Sequence, residues 1–204
     1  MRIGFLLLGL TLGCDAVVED DTTGTDVEEE EKPLYSDDAL VINFGENSEN
    51  RWYSVNDTVM GGVSSGVLSY EESSLLFEGV VSTDSNGGFT SVRGPNETTD
   101  LSQYTKAIIR LRSEGQPFSM ILAHNPYWFQ DQFKVDINVD TTDWTVVEIP
   151  LSDFEVYSSQ NGYPYGTGEM MTAETSTEIL HMEFMSKLFE DGAFRFEVDF
   201  VAFD

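Results

Sequence analysis

The chain has 204 residues, with 37 acidic against 10 basic side chains, a formal net charge of −27 and a hydrophobic content of 40%. That length and apolar fraction support one domain of ordinary size with a true core plus extensions, and leave little room for two domains. The charge argues against a nucleic-acid surface, because phosphates would be repelled along most approaches, and favours a basic partner or simple solvation.

Residues 1–13 carry one early cation, Arg2, and then an apolar run from Ile3 to Gly13. The run is shorter than the roughly 20 residues a membrane span needs and has the size of a signal-peptide core. The only cysteine, Cys14, follows at once, and Leu10-Thr-Leu-Gly-Cys14 resembles the bacterial lipobox, with Thr11 where an aliphatic residue is usual. The expectation is a signal peptide over 1–14 with lipidation at Cys14, which would anchor the chain in the bacterial cell envelope. A plain secretory signal would instead leave it secreted or periplasmic. A lone cysteine excludes an internal disulfide in either case. Residues 15–38 hold 11 acids, among them Glu28 to Glu31 in a row, with Lys32 as the single base. This composition has almost nothing to bury and reads as a disordered, self-repelling tether. The remaining 39–204 still hold 26 acids against 8 bases, so the domain is acidic in its own right.

From Leu40 onward the pattern is one of strands. Leu40–Phe44, Gly66–Tyr70, Ser74–Ser82, Phe89–Arg93, Thr105–Ser113 and Pro117–Ala123 are short apolar or alternating runs between turn-rich pieces. Phe133 to Asp140 alternates without a fault, with Phe133, Val135, Ile137 and Val139 on one face and Lys134, Asp136, Asn138 and Asp140 on the other. Trp144–Pro150, Ile179–Phe184 and Gly192–Phe203 complete the set, while Val156 to about Glu174 reads as a long loop. Nearly a dozen strands with no convincing helix point to an all-β antiparallel β-sandwich with one wet face per sheet.

The segment from Arg51 to Gly66 reads as a structured loop. Trp52 anchors it, Asn56 and Asp57 cap loop N–H groups, and Gly61 and Gly62 permit positive φ or close backbone approach. Asn86-Gly87-Gly88-Phe89 marks a tight turn before a strand that ends at Arg93. An aspartate in one glycine-rich loop and an arginine closing the next strand are expected to meet, so that Asp57 and Arg93 pin the loops together.

Trp52 with Val55-Asn-Asp-Thr-Val-Met60-Gly-Gly-Val-Ser64, then Phe77-Glu-Gly, Asn86-Gly-Gly-Phe-Thr-Ser-Val-Arg93, Trp144 to Phe154 and the terminal Phe194-Arg-Phe-Glu-Val together resemble the complex I intermediate-associated protein 30 family over about residues 42–203. The resemblance implies a galactose-binding-like jelly roll. It also implies a protein that binds folding intermediates without catalysing a reaction, as the mitochondrial members do in complex I assembly. Trp52, Asn56, Asp57, Met60, Gly61, Gly62, Ser64, Asn86, Gly87, Gly88, Phe89, Arg93 and Trp144 then stand as motif residues with a structural role. Two departures stand out: Ser113-Glu114-Gly115 where the family often has Gly-Asp-Gly, and a leader unlike that of a mitochondrial protein.

Other chemistry is weakly encoded. Gly62-Val-Ser-Ser-Gly66 matches a nucleophile elbow on paper, yet a strand follows it where the motif needs a helix, and only His124 and His181 could serve as base. Both histidines read as ordinary strand or loop residues, so no catalytic residue is assigned. Asp136, Asn138 and Asp140 resemble the start of a calcium loop, but Thr141 and Val147 stand where an EF-hand needs glycine and glutamate; no metal or cofactor is expected. The run Tyr127-Trp128-Phe129 is the most suggestive binding feature, because three consecutive rings cannot all enter one core, and Tyr163 and Tyr165 could join them. Two functions follow: a non-catalytic protein-binding module of assembly-factor or scaffold type, or a carbohydrate-binding jelly roll.

Overall fold

The computed structural model describes residues 33–45, 51–127, 130–160 and 163–204, with the backbone alone for Tyr163. The expectations for the leader, Cys14 and the tether to residue 32 lie outside the described residues, as do those for Trp128, Phe129 and the Tyr163 side chain.

Two antiparallel sheets face each other. The first has strands β3 (Ser65–Tyr70), β4 (Leu75–Val81), β13 (Gly192–Phe203), β6 (Lys106–Gly115) and β9 (Thr141–Pro150) in that order, and β1 (Leu40–Asn43) pairs with the far end of β13 beyond β4. The second runs β11 (Tyr163–Met170), β10 (Glu155–Gln160), β8 (Gln132–Ile137), β7 (Phe118–Ala123), β12 (His181–Ser186), β5 (Thr90–Arg93) and β2 (Tyr53–Asn56). Facing rows of alternate residues build the core between them: Phe77, Phe194 and Phe196 from the first sheet meet Phe118, Phe184 and Met120 from the second. The Phe118 and Phe196 rings stack with centroids 4.1 Å apart. Trp52 closes one end, stacked on Phe184 at 5.9 Å and edge-on to Phe44 at 5.0 Å. The architecture is the expected all-β sandwich.

Three local expectations change. The segment after Arg51 contains strand β2 and a 3-10 turn, Asp57–Met60, closed by Gly61 at φ +93°. The expected loop after Val156 is a hairpin of β10 and β11; its Gly and Pro content lowers strand propensity, yet an edge strand tolerates both because one side of its backbone has no ladder to complete. Residues 33–38, placed in the tether by composition, also join the folded body, with Tyr35 edge-on to Phe200 at 5.3 Å.

The glycine-flanked motif joins the two sheets. From β2, Asn56 reaches across to the first sheet, its Oδ1 accepting the Gly66 N–H at 3.0 Å, and on its own sheet it also accepts the Thr90 hydroxyl. Buried Asp57 accepts the N–H of Ser64 (2.9 Å), Gly88 (2.7 Å) and Phe89 (3.3 Å) and the Ser64 hydroxyl. A Cβ on Gly62 would lie 2.4 Å from the Asp57 carboxyl carbon, and one on Gly87 2.5 Å from Oδ2, so only glycine lets both loops close on the carboxylate. Burial opposes the charge on Asp57, but the bonds from Ser64, Gly88 and Phe89 outweigh it and hold the carboxyl below its usual range. Arg93 is not part of this lock. The register sets Asn56 opposite Thr90 and Tyr53 opposite Arg93, so three residues of extended strand, about 10 Å, separate Arg93 from the Asp57 end, and Arg93 turns to Glu183 with Nε 3.0 Å from Oε2.

Asp57→Ala strips four donors of their acceptor and is expected to cost about 3 kcal/mol of stability at neutral pH, read by urea denaturation. Because the folded pKa lies below 3.8, this contribution is complete above that pH and disappears as the pH falls through the folded value, so the gap between wild type and variant narrows in strong acid.

Candidate functional site

The outer face of the seven-stranded sheet departs from the expected wet surface. Every residue of β7 is buried, and on its outer side Ser119, Ile121 and Ala123 lie in line with buried Ser91, Glu183, His181 and Lys134 from neighbouring strands. The cause lies at both margins of the face. The 3-10 turn at 57–60, the 86–89 turn and Leu188–Phe189 rise on one side, the β10–β11 hairpin on the other, and between them runs a trough of about 710 Å³.

The cross-strand register orders its floor. Arg93 on β5 faces Glu183 on β12, which faces Ile121 on β7, which faces Lys134 on β8; Arg93, Ile121 and Lys134 line the trough, and Glu183 lies buried beneath it. Gln132 and Tyr157, paired with each other, form the adjoining corner. Lys134 lays its ammonium over the Tyr157 ring at 4.5 Å and pairs with Asp136, which also accepts the Ser119 hydroxyl at 2.7 Å. Burial works against the charge of Asp136, but Lys134 and Ser119 hold its carboxyl below the usual range. The rim is apolar: Val59 is 75% exposed, Met60 53% and Phe189 46%. Phe189 holds a left-handed backbone (φ +55°), and its N–H donates to the Gly88 carbonyl at 2.8 Å. Strain of this kind persists only where surrounding structure enforces it.

Glu183 is fully buried, and neither carboxylate oxygen completes a hydrogen bond; its compensation is the Arg93 guanidinium, with the Ser91 hydroxyl alongside. Burial pushes its pKa up, opposed by Arg93 and Ser91. Next on the strand face, His181 has both ring nitrogens buried without a hydrogen-bond partner, Nε2 lying 4.0 Å from Glu183 Oε2. Burial, reinforced by Arg93, pushes His181 down to about 4, so the imidazole is neutral at pH 7. His181 also lines a second, smaller cavity of about 400 Å³ with Trp52 and Leu122.

The sequence-predicted residues divide accordingly. Met60, Asn86, Gly87, Phe89 and Arg93, expected to be structural, line the trough. Trp52, Asn56, Asp57, Gly61, Gly62, Ser64 and Gly88 belong to the core or the lock. Trp144 lies on the outer face of the other sheet between the Arg110 and Arg112 guanidiniums, 4.7 and 4.8 Å away. Tyr127 and Tyr165 are exposed but line neither cavity. Ser64 is buried with its hydroxyl on Asp57 and accepting the Ser82 N–H, strand β3 follows it, and His124 packs on Phe133; no elbow forms. Sequence reasoning missed Lys134, Tyr157, Ile121 and Glu183. Lys134 was assigned to a solvated face, which holds for Asp136, Asn138 and Asp140 but not for it.

Strands and topology define a galactose-binding-like jelly roll. Two solved structures share it. The family 11 carbohydrate-binding module of the cellulosomal cellulase Lic26A-Cel5E of Clostridium thermocellum matches at 17% identity over 81% of this chain and 94% of that one, with a TM-score of 0.56. The same module in complex with a β-1,3-1,4-mixed-linked tetrasaccharide matches at 17% identity over 81% and 95%, again at 0.56. An agarase, AgWH50C, contains a similar body, matched at 13% identity over 81% of this chain and 24% of that one, TM-score 0.53. No curated protein matches the sequence. The family model for complex I intermediate-associated protein 30 (CIA30) matches residues 42–198. The chain belongs to the complex I intermediate-associated protein 30 family.

The neutral His181 stabilises the fold fully above its unfolded pKa of 6.5, and this contribution is lost as the pH falls toward about 4. Wild type should therefore lose up to about 3 kcal/mol relative to His181→Gln across that window, at about 1.4 kcal/mol per pH unit, measured by denaturant titration at successive pH values.

Proposed function

We propose that this protein is a non-catalytic carbohydrate-binding module whose ligand lies in the trough. The observation that carries the reading is the trough itself: a volume within the range of small-ligand clefts, polar groups grouped on the floor, and the rings of Tyr157, Phe89 and Phe189 on its walls. Sugars present both hydroxyls and apolar ring faces, and this lining offers partners to each. The jelly-roll fold shared with the family 11 carbohydrate-binding module supports the same reading.

A second reading is favoured by a separate observation. Val59, Met60 and Phe189 form an exposed apolar rim, and a flexible methionine adapts to varied apolar partners. Together with the family membership this supports a protein partner, as expected of an assembly factor or scaffold. In either case a lipid on Cys14 would hold the module at the bacterial envelope, which mass spectrometry of the mature amino terminus tests directly.

On a glycan array the folded domain should bind a defined set of glycans, and Tyr157→Ala should weaken that binding about tenfold, the effect of removing a ring worth about 1–2 kcal/mol. An empty array, or binding indifferent to Tyr157→Ala, rejects the carbohydrate reading. In crosslinked cells a protein partner lost with Met60→Asp and Phe189→Asp would establish the other.

A further inference from the structure

We propose that the trough selects uncharged glycans because the two cations on its floor, Arg93 and Lys134, are each already neutralised by a carboxylate outside its lining, Glu183 and Asp136. The inference rests on the carbohydrate reading and deepens it. Each cation on the floor is neutralised by a carboxylate on its own sheet face: Arg93 Nε lies 3.0 Å from Glu183 Oε2, and the Lys134 ammonium lies against Asp136. The floor therefore presents two cations whose charge is already met from outside the lining. An anionic glycan would have to displace a carboxylate to reach either cation, and it would do so inside a protein of net charge −27. A hydroxyl accepts a bond from a guanidinium or ammonium N–H without carrying a charge that competes with the carboxylate already paired there.

The spacing supports the same ligand. Arg93 and Lys134 stand on strands three positions apart in the sheet, with Glu183 and then Ile121 between them; at about 4.8 Å per strand the two couples are about 14 Å apart. Ile121 places an apolar surface midway, suited to the C–H face of a sugar ring whose neighbours present hydroxyls to either couple. Glu183 is fully buried beneath this surface and lines neither cavity, so its part is to hold the Arg93 charge.

The test is affinity electrophoresis of the full domain in gels holding neutral mixed-linkage β-glucan, agarose or polygalacturonate, run at high salt so that long-range repulsion is screened. Wild type should be retarded by a neutral polysaccharide and not by polygalacturonate. Glu183→Gln keeps the shape but leaves Arg93 without its counter-charge. Neutral retardation should fall about tenfold, and retardation by polygalacturonate should appear, a gain that a purely structural role would not produce. Asp136→Asn, at an exposed carboxylate, frees Lys134 in the same way and keeps the proposal falsifiable if Glu183→Gln fails to fold. Wild-type retardation by polygalacturonate equal to that by the neutral glycan, or no gain in the folded variants, overturns the selection while leaving carbohydrate binding intact. Wild type unretarded in every gel overturns the carbohydrate reading with it.

Discussion

The structure depends on one buried carboxylate and its neighbouring carboxamide. A β-sandwich is held together mainly by apolar side chains between its layers, and these do not by themselves fix how strands at one margin join. Here Asn56 bonds Gly66 on the opposite sheet and Thr90 on its own, while Asp57 gathers the donors of two loops. The bonds are directional and their donors buried, so leaving them unmet would cost more than making them contributes. The layers are thereby set in one register, and the loops that carry Val59, Met60 and Phe89 stand in fixed positions.

The same lock builds the trough. The 3-10 turn that begins at Asp57 presents Val59 and Met60, and the turn bonded at Gly88 carries Asn86 to Phe89 and receives Phe189. A motif that reads as purely structural therefore places a wall along the candidate site, and structure and site are not separable there. The opposite wall comes from an edge hairpin with a smaller constraint of that sort, the Glu155 carboxylate accepting the Gly168 N–H at 2.8 Å. One margin of the trough is rigid by construction, and the other is an edge strand carrying Pro164 and glycines at 166 and 168.

The polar floor follows an unusual rule for a sheet face. Outer positions of an antiparallel sheet are normally wet, and a buried ion pair there does little for stability, because desolvation offsets much of the attraction. Arg93 with Glu183 is such a buried pair, whereas Lys134 is buried against the Tyr157 ring while its partner Asp136 stays exposed. His181, neutral beside them, adds no charge at physiological pH.

Periodicity was enough to show the sandwich. Alternation through Phe133, Val135 and Ile137, and the apolar run Pro117 to Ala123, depend only on which side chains must leave water, and such patterns are local. The glycine-flanked motifs were equally legible, and with them the family, because capping and close approach leave residue types behind. Three things were not legible. Arg93 chose Glu183 and not Asp57, since strand register decides which charges meet. Lys134 looked solvated, since a side chain cannot reveal that distant loops roof its face. Of the expected aromatic platform Tyr127-Trp128-Phe129 with Tyr163 and Tyr165, the described side chains Tyr127 and Tyr165 line neither cavity, whereas Tyr157, unremarked in sequence, lines the trough. Sequence alone determined most of the strands and the residue types of the glycine-flanked motif, because local pattern carries these; β2, β10, β11 and the partners that Asp57 and Asn56 take in the 88–90 segment were set by the fold. The trough and its paired charges were decided by tertiary structure alone, because they require five strands from separate parts of the chain to lie side by side.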